Sequence, residues 1–274
     1  MKIEQSDIIS DGYVRLYRQR SDLPFTPENM LIIDTGFSSI ARINAAFRSA
    51  MKKDDELAAR HPLAWNPEFG YVTARPDLCG TGLEISALFH LEGLSLTGDL
   101  EPALNALCGL RLRAQGCRGG GMKDAAHLFR ISNIFQLGIS EQDLASRVTR
   151  AFGDLAQQEA NARMRLVKEM PRVFNDAISR SIAILQSCRL LSDWELIDIA
   201  SPLRIAAELD LLDNFTREDA ESLMRERLDL SDERPPGTYE EQRERDRNDA
   251  ALADRINRRF RNVRLNARGK DWLT

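Results

Sequence analysis

Two glycine-rich segments are the first places where this sequence could bind a charged ligand. Residues 80–82 and 116–121 offer backbone amides that can approach a phosphate closely, because glycine has no side chain. Neither segment matches a Walker loop or a dinucleotide-binding fingerprint. Glycine-rich connections between strands are also common in sheet proteins, so each segment taken alone is interpreted as structural.

Histidine and cysteine residues are too scattered to indicate a metal centre. They form no Cys-x-x-Cys pair and no other ligand spacing, so we expect neither a structural zinc site nor a disulfide framework. His90 ends an apolar segment and is interpreted as a core histidine. Cys79 lies in a glycine-rich loop and is the one cysteine worth testing as a reactive thiol. The full set is His61, His90, His127, Cys79, Cys108, Cys117 and Cys188.

Basic residues are concentrated near the end of the sequence. Residues 255–270 contain six arginines and one lysine, and no acidic residue. Such a patch can bind nucleic acid, phosphorylated protein or an acidic partner. Only Phe260 is interleaved among the cations and no nucleic-acid motif accompanies them, so we expect a solvated helix face rather than a nucleic-acid site.

Composition and charge limit the class of protein. The 274 residues are 43% hydrophobic and 29% charged, with a formal net charge of −4. These values suit one large or two small globular domains and exclude collagen-like, low-complexity and globally disordered chains. No apolar run approaches the roughly 20 residues that cross a bilayer, and the start lacks the apolar segment of a secretory signal. We expect a reduced, soluble, cytoplasmic protein without a membrane or nucleic-acid partner.

Alternating and helical spacings in the first 165 residues predict a sheet with helices. Val14 and Leu16 alternate with Arg15 and Tyr17 in an extended segment. Further strands are predicted at residues 30–33, 71–72, 83–91, 110–112 and 128–132. Helices are predicted at residues 38–60, at residues 100–107 and from a capping box at Ser140 onwards.

Beyond about residue 165 the strand signals vanish and helix signals continue. Apolar spacing predicts a helix over residues 173–188, and caps at Ser192 and Thr216 predict two more. A double proline breaks the chain before a highly charged last helix. The sequence therefore predicts an α+β domain at residues 1–165, with an antiparallel sheet flanked by helices, and a small helical domain at residues 166–274.

Three motifs occur in a fixed order along the chain. Residues 7–18 read Asp-Ile-Ile-Ser-Asp-Gly-Tyr-Val-Arg-Leu-Tyr-Arg, residues 70–83 read Gly-Tyr-Val-Thr-Ala-Arg-Pro-Asp-Leu-Cys-Gly-Thr-Gly-Leu, and residues 131–138 read Ile-Ser-Asn-Ile-Phe-Gln-Leu-Gly. They resemble the guanidino phosphotransferase (phosphagen kinase) motifs Ser-Ser-Arg-Val-Arg-Leu-Ala-Arg, Gly-Tyr-Leu-Thr-x-Cys-Pro-Thr-Asn-x-Gly-Thr-Gly-Leu-Arg-Ala-Ser and Ile-Ser-Asn-x-x-x-Leu-Gly. Residues 179–185 and 201–204 are similar to His-Arg-Ser-x-Gly-x-Leu and Ser-x-x-Arg of the bacterial McsB-type protein-arginine kinases. The resemblance thus covers nearly the whole chain.

The resemblance implies transfer of the γ-phosphoryl group of Mg-ATP to a guanidinium. In the family, arginines bind the phosphates, two glutamates orient the guanidinium and a cysteine assists, because such transfer depends on positioning and charge neutralisation. The segment that carries one of the glutamates has no counterpart here. Arg15 and Arg18 keep phosphate-binding positions. The degenerate positions are Arg75 for the cysteine, Glu84 and Gln115 for two phosphate-binding arginines, Gly120 for the other glutamate and Tyr13 for a further arginine.

Protein-arginine kinases also bind phosphoarginine in their helical domain through Arg-Asp-x-x-Arg-Ala. Residues 245–250 resemble this motif and read Arg-Asp-Arg-Asn-Asp-Ala. Arg245 and Asp246 are kept, whereas Asp249 replaces the second arginine and would repel a phosphoryl group. A charged, solvated helix face explains the segment equally well.

A retained scaffold with replaced chemical groups predicts a pseudokinase that regulates or scaffolds other proteins and needs no cofactor. The resemblance implies a protein partner: an active arginine kinase, its zinc-containing activator, an AAA+ protease component, or a second copy in a homodimer. Two alternatives stay open. One is an active ATP:guanidino phosphotransferase in which Arg15, Arg18 and Arg75 hold Mg-ATP and Asp77 is the acid. The other is a phosphoarginine-binding module that uses Arg245 and the basic residues near the end.

Overall fold

The described chain divides into two compact units. The computed structural model describes residues 9–117, 126–134, 137–228 and 238–271. The first unit comprises residues 1–90, 100–114 and 129–160, and the second comprises residues 91–99, 115–128 and 161–274. Within the described ranges, no helix combines the length and the apolar character that crossing a membrane requires.

An antiparallel sheet flanked by helices organises the first unit, as the alternation pattern predicts. The strands are β1 (Ile9–Gln19), β2 (Met30–Phe37), β3 (Trp65–Asn66), β4 (Gly70–Tyr71), β5 (Leu83–His90), β6 (Leu112–Gly116) and β7 (Leu128–Asn133). Five of them form one sheet in the order β2-β1-β5-β7-β6, and β3 and β4 form a separate hairpin. The long strand β1 lies between β2 and β5, so its side chains reach both neighbours.

Register along β1 separates a core face from a polar face. Arg15 is paired with Asp34 of β2 on one side and with Glu84 of β5 on the other. Since successive side chains of a strand point to opposite faces, Arg15 shares a face with Tyr13 and Tyr17, and the buried Val14 and Leu16 occupy the other.

Helices flank the sheet in the first unit and make up most of the second unit. The helices are α1 (Ile40–Ala58), α2 (Glu92–Leu96), α3 (Leu100–Gly109), α4 (Glu141–Glu169), α5 (Pro171–Ser187), α6 (Asp193–Glu208), α7 (Arg217–Leu228), α8 (Tyr239–Phe260) and α9 (Ala267–Asp271). Ile40, Ile43 and Phe47 of α1 are buried at helical spacing and α1 packs on β1 and β2. Phe89 of β5 and Phe152 of α4 make an edge-to-face contact with ring centroids 5.0 Å apart.

The second unit is mainly helical and encloses charged side chains as well as apolar ones. Phe215 and Phe260 pack with ring centroids 5.3 Å apart. The almost fully buried Arg163 lies 3.0 Å from Glu208. Burial lowers the pKa of Arg204, which forms ion pairs with Glu208 and Glu221. Buried cations of this kind require such partners, because desolvation of an isolated charge is costly.

The sequence-based predictions were incomplete at short elements. The helix α2 was not predicted, because its five residues are too few to show a helical spacing of apolar side chains. The prediction that strands end before residue 165 is wrong: β8 (Leu212–Asp213) pairs with β9 (Arg264–Leu265). Two residues are too few to show an alternation in sequence. Residue 165, where the sequence places the domain boundary, lies within α4. The boundary itself stays a prediction.

Candidate functional site

A cavity of about 530 Å³ lies on the polar face of the sheet. We call it the sheet cavity. The strands of the sheet line it with Tyr13, Arg15 and Tyr17 of β1, Glu84 of β5 and Arg113 of β6. The loop that joins β4 to β5 adds a further set of lining residues, which includes Arg75, Asp77 and Cys79. The cavity therefore combines three arginines with two carboxylates.

Glu84 is held on this face by two tyrosine hydroxyls. Tyr17 donates a hydrogen bond of 2.7 Å to Glu84 Oε2, and Tyr13 donates one of 3.3 Å to Oε1. Burial raises the pKa of Tyr17 above its ordinary value, and the hydrogen bond to Glu84 raises this pKa further. The hydroxyl of Tyr17 therefore keeps its proton to a higher pH than an ordinary tyrosine does, and its hydrogen bond holds the carboxylate of Glu84 at the cavity wall.

Two arginines of the sheet cavity are engaged by acidic neighbours. Arg15 Nε lies 2.6 Å from Asp34 Oδ2, and its guanidinium stacks 3.9 Å from the centre of the Tyr13 ring. Arg75 Nη2 lies 2.5 Å from Asp77 Oδ2, and this bond lowers the pKa of Asp77. Arg113 is exposed and has no ion pair with any residue in the described ranges. Arg113 is thus the cavity cation with the most freedom to bind an anion.

Arg18 does not line the sheet cavity, although the sequence groups it with Arg15. It is fully buried on the opposite face of β1, and its guanidinium forms bonds of 2.8 and 2.7 Å with Asp54 of α1. Its Nη1 also donates to the backbone oxygens of Tyr17 and Thr81. Adjacent residues of a strand point to opposite sides, so odd and even positions of β1 cannot serve one ligand.

The glycine-rich loop before β5 packs closely against β1, which leaves no room for a side chain at Gly82. Gly82 has φ +56, and a Cβ there would lie 2.5 Å from Tyr17 O and 2.7 Å from Arg18 Nη1. The backbone oxygen of Gly82 accepts a hydrogen bond of 2.8 Å from Tyr17 N. A side chain at this position would therefore clash with β1 itself, with or without a bound ligand.

The sheet cavity is not lined by Gln115, Arg245 or Asp246. Gln115 is exposed in β6, and Gly120 lies outside the described residues. Arg245 is half-buried on α8, and the exposed Asp246 accepts a hydrogen bond of 2.7 Å from Gln242. The carboxylate of Asp249 lies one turn from Arg245 on the same helix.

Histidines and cysteines form no common site in the part of the chain that the structure describes. His90 is buried in β5, in agreement with its interpretation as a core histidine. Cys79 lines the sheet cavity, and its sulfur accepts a hydrogen bond of 3.4 Å from Thr73 N. The described ranges contain no group of three or more His, Cys, Asp or Glu side chains that could hold a metal ion.

Tyr13 and Tyr17 each donate a hydrogen bond to Glu84, and we call this pair of bonds the tyrosine clamp. The tyrosine clamp was not predicted from the sequence. The alternation of Tyr13, Arg15 and Tyr17 against Val14 and Leu16 was visible and places these three side chains on one face. The partner strand was not identifiable, because Glu84 is 67 positions from Tyr17. Local spacing predicts a face of a strand and leaves its register unknown.

Comparison with known proteins agrees with the motifs. Residues 31–162 match the family model of the ATP:guanido phosphotransferase C-terminal catalytic domain. The protein-arginine kinase of Clostridium acetobutylicum is 29% identical over 182 residues, which are 66% of this chain and 54% of that protein. The protein-arginine kinase of Moorella thermoacetica is 32% identical over 170 residues, which are 62% of this chain and 49% of that protein. The chain spans about half the length of these curated relatives.

Two guanidino kinases are among the solved structures that match part of this chain. Lombricine kinase has a TM-score of 0.42 and 17% identity, and the match covers 57% of this chain and 67% of that one. The duplicated taurocyamine kinase of Schistosoma mansoni has a TM-score of 0.47 and 11% identity, and the match covers 72% of this chain and 40% of that one. On the family model and the curated relatives, the chain matches the ATP:guanido phosphotransferase catalytic domain over residues 31–162 and is a homologue of the bacterial protein-arginine kinases.

Proposed function

We propose that this chain is a catalytically degenerate protein-arginine kinase homologue that regulates or scaffolds other proteins in the cytoplasm. The observation that carries the proposal is Glu84. Its carboxylate stands at the wall of the sheet cavity where the family resemblance implies a phosphate-binding arginine, and Tyr13 and Tyr17 hold it there.

A carboxylate at this place opposes the binding of a polyphosphate. At an effective dielectric constant of about 20, a like-charge contact at 4 Å costs roughly 4 kcal/mol before screening by salt. Phosphoryl transfer depends on several cations that neutralise the phosphates. In the sheet cavity, Arg15 and Arg75 already pair with Asp34 and Asp77, so Arg113 would have to act almost alone.

The geometry disfavours an active kinase with a rebuilt site. That alternative needs Arg18 for nucleotide binding, and the guanidinium of Arg18 is buried between Asp54 and two backbone oxygens. It also needs Asp77 as the acid, which must exchange a proton during the reaction. The bond to Arg75 lowers the pKa of Asp77, which makes this carboxyl a weak proton acceptor at neutral pH.

The proposed role requires protein partners. An active protein-arginine kinase, its zinc-containing activator, an AAA+ protease component and a second copy of this chain are the partners that the family relationship suggests. The sheet cavity would then have a structural role, and regulation would act through surfaces that the partner contacts.

The test is a phosphotransfer assay beside an active enzyme. We would incubate the purified chain with Mg-ATP and an arginine-rich protein, with the Moorella thermoacetica protein-arginine kinase as the positive control, and measure phosphoarginine. We expect none from this chain, and no thermal stabilisation by millimolar Mg-ATP. A ligand at a hundredfold excess over its Kd would stabilise the protein by about 2.7 kcal/mol. Phosphoarginine that disappears in an Arg113→Ala variant would overturn the proposal.

The regulatory role has its own readout. We would mix the chain with an active protein-arginine kinase and measure both co-elution in size-exclusion chromatography and the rate of phosphoarginine formation. We expect co-elution and a changed rate. A mixture that elutes as separate species with an unchanged rate contradicts regulation of a kinase by this chain.

A further inference from the structure

A second cavity of the first unit has a chemistry unlike that of the sheet cavity. It measures about 320 Å³ and lies between the β3–β4 hairpin and the start of α4. We call it the aromatic groove. Its chemically distinctive lining residues are Trp65, Glu68, Phe69, Tyr71 and Glu141.

Aromatic side chains are exposed in this groove and held in place by the hairpin. Trp65 is 60% exposed and Phe69 is 47% exposed. Trp65 pairs across the hairpin with Tyr71. Asn66 Oδ1 accepts hydrogen bonds of 2.8 and 3.1 Å from the backbone nitrogens of Glu68 and Phe69. Large apolar side chains that are clustered, exposed and fixed by a turn are typical of a binding surface rather than of a loop without function.

The charge of the aromatic groove is negative. Glu68 and Glu141 are its charged lining residues, and no lysine or arginine of the described chain lines it. Arg147 and Arg150 line a different, adjoining groove further along α4. Aromatic faces beside carboxylates attract a cation, because the ring quadrupole and the negative charge act in the same direction.

Tyr71, one of the lining residues, already makes a contact of this kind outside the groove. The guanidinium of Arg18 lies 3.6 Å from the centre of the Tyr71 ring, on the buried side of the hairpin. A planar guanidinium stacks on an aromatic ring and donates paired hydrogen bonds to a carboxylate, whereas an ammonium is a compact and strongly hydrated point charge. The pairing of exposed rings with carboxylates therefore favours arginine over lysine.

We propose that the aromatic groove binds an arginine side chain from an exposed segment of a partner protein. The guanidinium stacks on Trp65 and pairs with Glu68 or Glu141. The site is separate from Glu84 and its tyrosine clamp, so the proposal does not depend on whether the sheet cavity transfers phosphate.

The test is a calorimetric titration of the full chain with the peptide acetyl-Gly-Gly-Arg-Gly-Gly-amide and its lysine and citrulline analogues. Citrulline keeps the shape of arginine without the charge. We expect saturable binding of the arginine peptide that is about tenfold weaker for citrulline, a difference of about 1.4 kcal/mol, because citrulline lacks the charge that the rings and carboxylates attract. We expect a loss of similar size in Trp65→Ala and in Glu68→Gln.

Matched controls separate this site from unspecific attraction. Phe25→Ala removes another exposed aromatic residue of the same unit and should leave the affinity unchanged, as should Glu84→Arg in the sheet cavity. Thermal unfolding of each variant verifies that the fold is intact. Absence of saturable binding at millimolar peptide, equal affinity for arginine and citrulline, equal affinity for arginine and lysine, or equal losses in Trp65→Ala and Phe25→Ala would each overturn the proposal.

Discussion

Arg18 and Asp54 form a two-bond ion pair inside the first unit, with Nε–Oδ1 at 2.8 Å and Nη2–Oδ2 at 2.7 Å, although they are 36 positions apart. We expect Arg18→Ala and Asp54→Ala each to lower the free energy of unfolding by about 3–5 kcal/mol, because each leaves an uncompensated charge in the core. Denaturant unfolding measures this loss.

The matched control for the buried pair is the exposed pair on the other face of the same strand. Arg15→Ala removes the contact with Asp34, and an exposed pair contributes only about 0–1 kcal/mol. A loss in Arg18→Ala no larger than the loss in Arg15→Ala would show that Arg18 is not a structural residue. The side chain of Arg18 would then be available to bind a ligand.

A single reversal of charge at Glu84 is not expected to restore phosphotransfer. Glu84→Arg removes the carboxylate from the sheet cavity, but Arg15 and Arg75 remain paired with Asp34 and Asp77. A phosphoarginine assay should therefore stay at background for this variant. Activity gained by Glu84→Arg alone would mean that the other groups of the site are intact, and the argument from several lost groups would fail.

Alkaline titration tests the tyrosine clamp. Burial and the bond to Glu84 raise the pKa of Tyr17, so the folded state keeps a proton that the unfolded chain releases above its ordinary pKa of about 10. The stability that this proton contributes is present below about pH 10 and is lost as the pH rises from there towards the folded-state value. Unfolding measured from pH 9 upwards should therefore show a steeper fall for the wild type than for Tyr17→Phe. Tyr239→Phe removes an exposed tyrosine, and its stability should fall with pH as steeply as that of the wild type. An equally steep fall in Tyr17→Phe would contradict the tyrosine clamp.

Asn133 belongs to the Ile-Ser-Asn motif, and the structure gives it a folding role. Its Oδ1 accepts from Ile85 N at 2.7 Å and its Nδ2 donates to Leu83 O at 2.8 Å, so its amide completes the hydrogen bonding of β5. Asn133→Ala leaves both backbone groups without this partner, and we expect a loss of about 1–3 kcal/mol in denaturant unfolding. Ser132→Ala changes the neighbouring motif residue, which lines the sheet cavity, and should cost clearly less. Equal losses of unfolding free energy in Asn133→Ala and Ser132→Ala would contradict the folding role of Asn133.

Helix starts were predictable because each depends on a few adjacent residues. Ser192 Oγ accepts from Glu195 N at 3.2 Å, and Thr216 Oγ1 accepts from Asp219 N at 3.1 Å, as the capping patterns predict. Ser140 Oγ likewise accepts from Asp143 N at 3.1 Å. Such bonds span three residues, so the sequence alone contains all the information they need.

Site residues were harder to predict, because their partners are distant in sequence. The motif resemblance grouped Arg15 with Arg18, but the pleat of β1 separates them, and Asp54 could not be identified as the partner of Arg18 from spacing. The aromatic groove was missed for a related reason: Trp65 and Phe69 look like ordinary apolar residues until the structure shows that they are exposed. Burial and register are properties of the assembled sheet, and no short window of sequence determines them.

The crowding at Gly82 has a consequence for how ancestry is inferred. A larger residue at position 82 would clash with the backbone of Tyr17 and the side chain of Arg18, so the fold itself requires glycine there. A glycine that the fold requires stays in place whether or not the chain catalyses a reaction. A search that relies on the Gly-Thr-Gly segment therefore recognises the fold, and the segment is evidence of relationship rather than of catalytic activity.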